Sequence, residues 1–393
     1  MSSRLRIADD DIAVGEPTPP LVVFLDHTSI LGGAELGLCH YFERPSTRFR
    51  RALTVVETGP LVARAKSAGV RVEVLARGPE RLGLVRTVLR LRRRLEEIGP
   101  DVVIANSLRS TFMLALALPR KVFGIAYVRE DLTAKSLGPM KRAALKYAAL
   151  PLLGAVIANS EWTLNSLGAK TLQRVPHAVA YPVSGIETAN ARPATGPEPQ
   201  PVLRVLSLSR LYEWKGIHIL VEAAALLGAW GLADRFVFTI AGDEIFGSTD
   251  DYANRLRRRA AEINAEITFA GHLDDVRPLL ASHDVLAHCS ITPEAFGQVI
   301  PQAMAYGLAV IATRHGGPLE IISDGQDGIL VSPGDPVELA QTLADLLQAP
   351  ERVRSIGQRA TASANRFSDA RTVPELERTI TSLWETRGRQ VSR

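Results

Sequence analysis

Glu294 sits in the run HCSITPEAFGQVIPQAMAYG (288–307), where an apolar strand pattern, DVLAHCS, gives way to an apolar helical one, QVIPQAMAYG. A joint of this kind leaves the first helical N–H groups unpaired beside a carboxylate. With a helix starting near Gly297, Pro301 falls in the first turn, where its missing N–H breaks no bond. The N–H groups of Phe296, Gly297 and Gln298 then face outward, and Glu294 can accept hydrogen bonds from ligand hydroxyls. Gln302 follows Gln298 by one turn on the same face. A carboxylate for hydroxyls, amides for an oxygen and a side-chain amide beyond them form a cradle for a sugar nucleotide. A solvent-exposed loop is the plain alternative.

A second group lies in SRLYEWKGIHILVEAAALL, where Arg210 and Lys215 flank a helix entry and can clamp a diphosphate. Of the 46 basic residues 39 are Arg, and Lys215 is the only lysine in 182–393. A lysine kept at that joint points to a need for a compact ammonium, against a chance surface position. In DHTSILGGAEL, Gly32 and Gly33 precede a helix expected from Ala34, so their backbone can approach a phosphate or simply make a tight turn. Gly316 and Gly317 open another helix in RHGGPLEIISDG, with Glu320 in its first turn. The repeated VIANS places Ser107 and Ser160 as helix N-caps.

Strands must deliver these residues. LVVFLD, RALTVVE, VRVEVLA, DVVIANS, VFGIAYV and GAVIANS give six in the first half; LRVLSLS, RFVFTIAG, EITFAG, DVLAHCS, AVIATR and GILVSP give six in the second. Alternating with helical stretches, they specify an α/β chain with two Rossmann-like, doubly wound parallel-sheet domains facing an interdomain cleft. The candidate residues fall at strand C-termini, where ligands of such sheets bind. The domain boundaries expected are a disordered tail at 1–20, a first domain at 21–181 and a linker at 182–201. A second domain at 202–368 and a C-terminal helix at 369–393 that packs back on the first domain complete the chain. Proline marks the linker, with five in 181–202.

Composition narrows the class. With 46% apolar and 22% charged residues the chain suits a globular protein, and no run approaches the ~18 uncharged apolar residues of a membrane span. The acidic, Pro-rich N-terminus lacks the form of a secretory signal, which points to the cytoplasm. Cys39 and Cys289 are too few and too far apart for a disulfide framework or a four-ligand zinc site, and read as buried apolar residues. Residues 1–181 hold 26 Lys and Arg against 16 Asp and Glu; residues 182–393 hold 20 against 26. The basic half can meet an anionic membrane surface, most directly through VRTVLRLRRRLEEI (85–98). There Val85, Val88, Leu89, Leu95 and Ile98 recur at helical spacing, although a solvated helix face explains the run as well. No aromatic interleaving favours nucleic acid.

SRLYEWKGIHIL, AGD at 241–243, FAGHLDD at 269–275, PEAFGQVIPQAMAYGLAVIATRHGGPLEII and the early GGAE together resemble the retaining glycosyltransferases of family 4, which have the GT-B fold. The likeness runs in order over nearly the whole chain and is more diagnostic in the second half. It implies transfer of a hexosyl unit from a nucleotide diphosphate sugar to an acceptor with retention of configuration, without a metal or other cofactor. It assigns Gly33, Arg210 and Lys215 to the diphosphate and Glu294 to the donor sugar with the amides of Phe296 and Gly297. The backbone at Gly271 and His272 would hold the base. Two departures stand out. The family's second Glu, which binds the ribose, is Gln302 here, which forgoes charge assistance worth roughly 1 kcal/mol. Where many members carry a histidine, AYVRED offers Tyr127, Arg129 and Glu130 as possible donor-sugar or acceptor contacts. A glycan, glycolipid or small-molecule glycoside is the expected acceptor, and the inner face of the membrane a possible location. A non-catalytic nucleotide-sugar or glycan-binding protein, and a sugar-nucleotide epimerase, are the rival readings.

Overall fold

The computed structural model describes residues 18–75, 83–132, 138–187, 202–244, 251–263 and 265–391. The expected tail and linker lie mostly outside these residues.

The first sheet comprises β1 (Leu21–Asp26), β2 (Arg50–Val55), β3 (Arg71–Val74), β4 (Val102–Ala105), β5 (Phe123–Val128), β6 (Ala155–Ala158) and β7 (His177–Val179). Its strands are ordered β3-β2-β1-β4-β5-β6-β7 and all run parallel. The second comprises β8 (Leu203–Leu208), β9 (Phe236–Ala241), β10 (Glu266–Gly271), β11 (Val285–His288), β12 (Ala309–Thr313) and β13 (Ile329–Val331). Its order is β10-β9-β8-β11-β12-β13, again parallel throughout. Helices cover both faces of such sheets, so the strands read as unbroken apolar runs: every residue of FGIAYV, VVIA and AVIAT is buried. The first sheet has seven strands where the sequence pattern gave six, because HAV in β7 is too short to register as a run.

Strand order reverses between β1 and β4 in one sheet and between β8 and β11 in the other. Helices leave in opposite directions there, and the loops after those strands open a crevice.

Two crossings join the domains. Residues 181–187 leave the first domain in extended form, and Ile186 enters the apolar core of the second. The chain returns at Asp369. Its N–H donates to the Ile186 carbonyl (2.9 Å) and its carboxylate accepts from the Ile186 N–H (3.2 Å) and from Arg44 (2.9 Å). Helix Asp369–Val391 then packs Val373, Leu376, Ile380 and Leu383 into the core of the first domain beside Val22 and Phe24.

Helix Leu84–Ile98 forms where the spacing predicts it. It buries Thr87, Leu91 and Leu95 and leaves Leu84, Val85 and Leu89 more than 60% exposed. The periodicity there has two apolar stripes, and the sequence does not tell which one faces the sheet.

Candidate functional site

The second domain's switch point is built by close backbone approach. Gly216 adopts φ +67°, and a Cβ there would stand 2.0 Å from the Cys289 carbonyl oxygen. The loop after β8 therefore lies against the exit of β11, and the Ile291 N–H donates to the Trp214 carbonyl at 2.9 Å. A 3-10 turn over Glu213–Lys215 carries Lys215 into this joint ahead of helix Ile217–Ala229.

There the Lys215 ammonium pairs with the Glu294 carboxylate. Both side chains are largely enclosed, at 12% and 14% exposure. Ser290 Oγ donates to the same oxygen, Glu294 Oε2, at 3.3 Å, and His288 Nε2 lies 3.4 Å from it. Burial alone would raise the Glu294 pKa. The charge of Lys215 outweighs it and holds the carboxyl well below the usual range. The Trp214 ring sits 4.3 Å from Lys215 Nζ, and Arg210 stands over the Tyr212 and Trp214 rings at 5.6 and 6.0 Å. The sequence-selected Arg210, Lys215 and Glu294 thus come from the exits of two adjacent strands.

The glycines after β12 support this loop. Gly316, at φ +75°, bridges Glu294 so closely that a Cβ would stand 2.2 Å from the Glu294 carbonyl oxygen, and the Gly317 N–H donates to that oxygen at 2.7 Å. Helix Val299–Ala305 begins two residues later than expected, with Gln298 at its N-cap and Pro301 in its first turn. The Phe296 side chain is in the core against Tyr181 and Phe367, so only its backbone belongs to the cleft.

Other candidates have partners already. The Gly32 N–H is taken by Glu35 Oε2 (2.9 Å), and the Gly33 carbonyl accepts from Gln298 Nε2 across the cleft (2.7 Å). Gln302 Nε2 donates to the Ser184 carbonyl at 2.7 Å, tying the second domain to the crossing segment. Tyr127 is fully buried and its hydroxyl donates to the Ala180 carbonyl at 2.8 Å. Its candidacy as a ligand contact is corrected accordingly: β5 points the ring into the sheet's covered face. Arg129 lies over that ring at 4.0 Å and donates to the Ala34 carbonyl at 3.1 Å. Glu130 lies at the cleft. Crowding by the surrounding protein raises its pKa, against the lowering charges of His27 and of Arg210 from the opposite domain. Gly271, at φ +68°, accepts from the Gly242 N–H at 2.7 Å, and the His272 side chain is exposed at the rim.

Of the polar cluster at the first domain's switch point, the sequence pattern marks only Ser107, as a helix cap. The fully buried Asp26 ends β1 and accepts from Asn106 Nδ2 (2.7 Å) and the His27 N–H (2.7 Å). His27 Nδ1 lies 2.8 Å from Ser107 Oγ and 3.3 Å from Asp26 Oδ1. The signal was present as DH after β1 and NS after β4, two polar pairs at adjacent strand exits. Ser107 and Ser160 do cap helices, accepting from the N–H groups of Ser110 and Thr163. Ser160 Oγ also donates to the Ala295 carbonyl at 2.5 Å, and Glu320 accepts from the N–H groups of Glu161 (2.9 Å) and Trp162 (2.6 Å). Glu320 therefore caps a helix of the opposite domain, not its own. The two lobes are closed on each other beside the Glu294 loop.

Among the described residues, no group of three or more His, Cys, Asp and Glu side chains is placed to hold a metal ion. Cys39 and Cys289 are free and buried, and burial pushes their thiols up to about 11 and about 12. No helix of the described residues is long and apolar enough to cross a membrane.

Residues 191–363 match the family Glycosyl transferases group 1. That span contains Arg210, Lys215, Glu294 and both glycines that support the Glu294 loop. The chain is 36% identical over 157 residues to the putative glycosyltransferase EpsD of Bacillus subtilis (strain 168), covering 40% of this chain and 39% of that protein. It is 32% identical over 212 residues to D-inositol 3-phosphate glycosyltransferase 2 of Catenulispora acidiphila, covering 51% and 49%. The match to these curated relatives thus spans half or less of their length. Across the whole chain the likeness is one of shape. Anabaena Alr3699/HepE, solved with UDP and glucose, superposes with a TM-score of 0.79 at 24% identity over 92% of this chain and 100% of that one. Sucrose-phosphate synthase from Thermosynechococcus elongatus superposes with a TM-score of 0.74 at 17% identity over 93% and 100%. The fold is the two-domain GT-B fold.

Proposed function

We propose that the chain is a retaining glycosyltransferase that moves a hexosyl unit from a nucleotide diphosphate sugar to an acceptor hydroxyl, without a metal ion. The supporting observation is the placement of Lys215 and Glu294 as a buried pair at the β8/β11 switch point, with Arg210 on the same β8 loop near the Trp214 ring. As the glycosidic bond breaks, negative charge gathers on the departing diphosphate. Two cations fixed in a largely enclosed crevice stabilise that charge more than water does, and they can do so without Mg²⁺. Glu294 then holds donor hydroxyls, and the backbone of Gly271 and His272 lies at the rim for the base. Alr3699/HepE was solved with UDP-glucose, which makes uridine donors the first to test.

A nucleotide-release assay with UDP-, GDP- and ADP-sugars and a panel of glycan and lipid-linked acceptors tests this reading, with EDTA present to test the metal. The expected result is release that survives EDTA and falls about 10²- to 10³-fold in Lys215→Ala. Turnover unchanged by that substitution would overturn it. Binding without transfer on every acceptor would instead support a nucleotide-sugar-binding protein, a reading favoured by one observation, the glutamine at position 302.

A further inference from the structure

The pair at the switch point has a third member without an evident task. His288 ends β11 and is 5% exposed, and neither of its ring nitrogens has a hydrogen-bond partner among the described residues. An imidazole buried in this way is costly unless some state of the protein uses it. Its Nε2 faces Glu294 Oε2 at 3.4 Å, the same oxygen that Lys215 holds.

The proposed function gives that geometry a consequence. One ammonium cannot fully neutralise both Glu294 and an arriving diphosphate. When Lys215 turns to the diphosphate, Glu294 is left in an enclosed place with the Ser290 hydroxyl at 3.3 Å and the imidazole at 3.4 Å. A buried carboxylate that loses its counter-ion must be protonated or gain another cation. The charged and titratable groups around His288 are Glu294 on its own loop, Lys215 from the β8 exit and His315 from the β12 exit. His315 Nε2 is fixed on the Ser290 carbonyl at 2.9 Å, which leaves His288 as the ring that addresses Glu294 directly. The charge of Asp131, from the opposite domain, acts on His315.

We infer that His288 takes up a proton when the nucleotide sugar binds and replaces Lys215 as the counter-ion of Glu294. The proton comes from solvent to the imidazole ring, which is then the cation facing Glu294. Lys215 stays protonated and carries its charge to the diphosphate, so the site gains one positive charge against the donor's negative charge. His288 is a positioning residue: it keeps Glu294 ionised and in place to hold donor hydroxyls. The inference rests on the donor reading given under Proposed function.

Calorimetric titration of the full chain with UDP-glucose tests it, between pH 6 and 8 in phosphate, HEPES and Tris. The diphosphate of this donor has no group that ionises near neutral pH. The expected result is a binding enthalpy that varies with the buffer's ionisation enthalpy, with a slope of up to one proton taken up, and an affinity that falls up to tenfold per pH unit at the steepest point. His288→Leu and the more conservative His288→Asn should both abolish the slope. Binding with the same slope in wild type and either variant, or with no slope at all, overturns this inference alone. Failure to bind UDP-glucose, UDP-N-acetylglucosamine or GDP-mannose overturns the donor reading and this inference with it.

Discussion

Glu294 is an acid whose strength is set by its neighbours. Because Lys215 holds its pKa below the ordinary carboxyl range, the folded protein binds fewer protons at this site than the unfolded chain. The stability from the pair is fully present above the unfolded value of about 4.3 and is lost as pH falls through it toward the folded value. Urea denaturation should find Glu294→Gln less stable than wild type by a constant amount above about pH 5.5, with the gap closing below about pH 4. Gln302 carries a second lesson at this scale. Set against a family pattern, glutamine there reads as a lost charge; in the structure its amide donates to the Ser184 carbonyl, which a carboxylate cannot do. Gln302→Glu should therefore destabilise the protein by about 1 to 3 kcal/mol in urea at neutral pH. The type of residue was legible in the sequence, but its partner, 118 positions away, was not.

The elements that carry the site were mostly legible, because buried parallel strands write themselves as apolar runs and end at the residues of interest. Backbone proximity was not. In sequence Gly316 and Gly317 read only as the opening of a helix; in the structure they also let the exit of β12 press against the Glu294 loop. A side chain at 316 meets both a left-handed φ and a carbonyl oxygen at 2.2 Å. Gly316→Ala should cost at least about 2 kcal/mol of stability, and it should weaken donor affinity because Glu294 is displaced with its loop. A protein that loses stability but keeps its donor affinity would show that the bridge is structural only. Helix Leu84–Ile98 shows the same limit, since spacing identified the helix but not its buried face. As folded, it presents Leu84, Val85 and Leu89 beside Arg86 and Arg93 to solvent. Flotation with vesicles containing anionic lipid tests whether this surface meets a membrane: the expected outcome is flotation that is lost when Val85 and Leu89 are both changed to Asp.

For the whole molecule, the two switch points face each other, and the closure is held by contacts that no local pattern announces: Ser160 on Ala295, Glu320 on the helix starting at Glu161, Gln298 on Gly33. Those partners lie 135, 159 and 265 positions apart, so each was visible in sequence only as a polar residue near a helix start. Closure brings Arg210 of one domain within electrostatic reach of Glu130 of the other. Lys215 must leave Glu294 when a diphosphate enters the crevice if it is to hold the departing charge. A crystal structure of the full chain with UDP tests this most directly. The result predicted is a diphosphate within hydrogen-bond distance of both Arg210 and Lys215 at the exits of β8 and β11, with the Lys215 ammonium drawn off Glu294. UDP bound away from those strand exits, or Lys215 still seated on Glu294 with the diphosphate elsewhere, would contradict it.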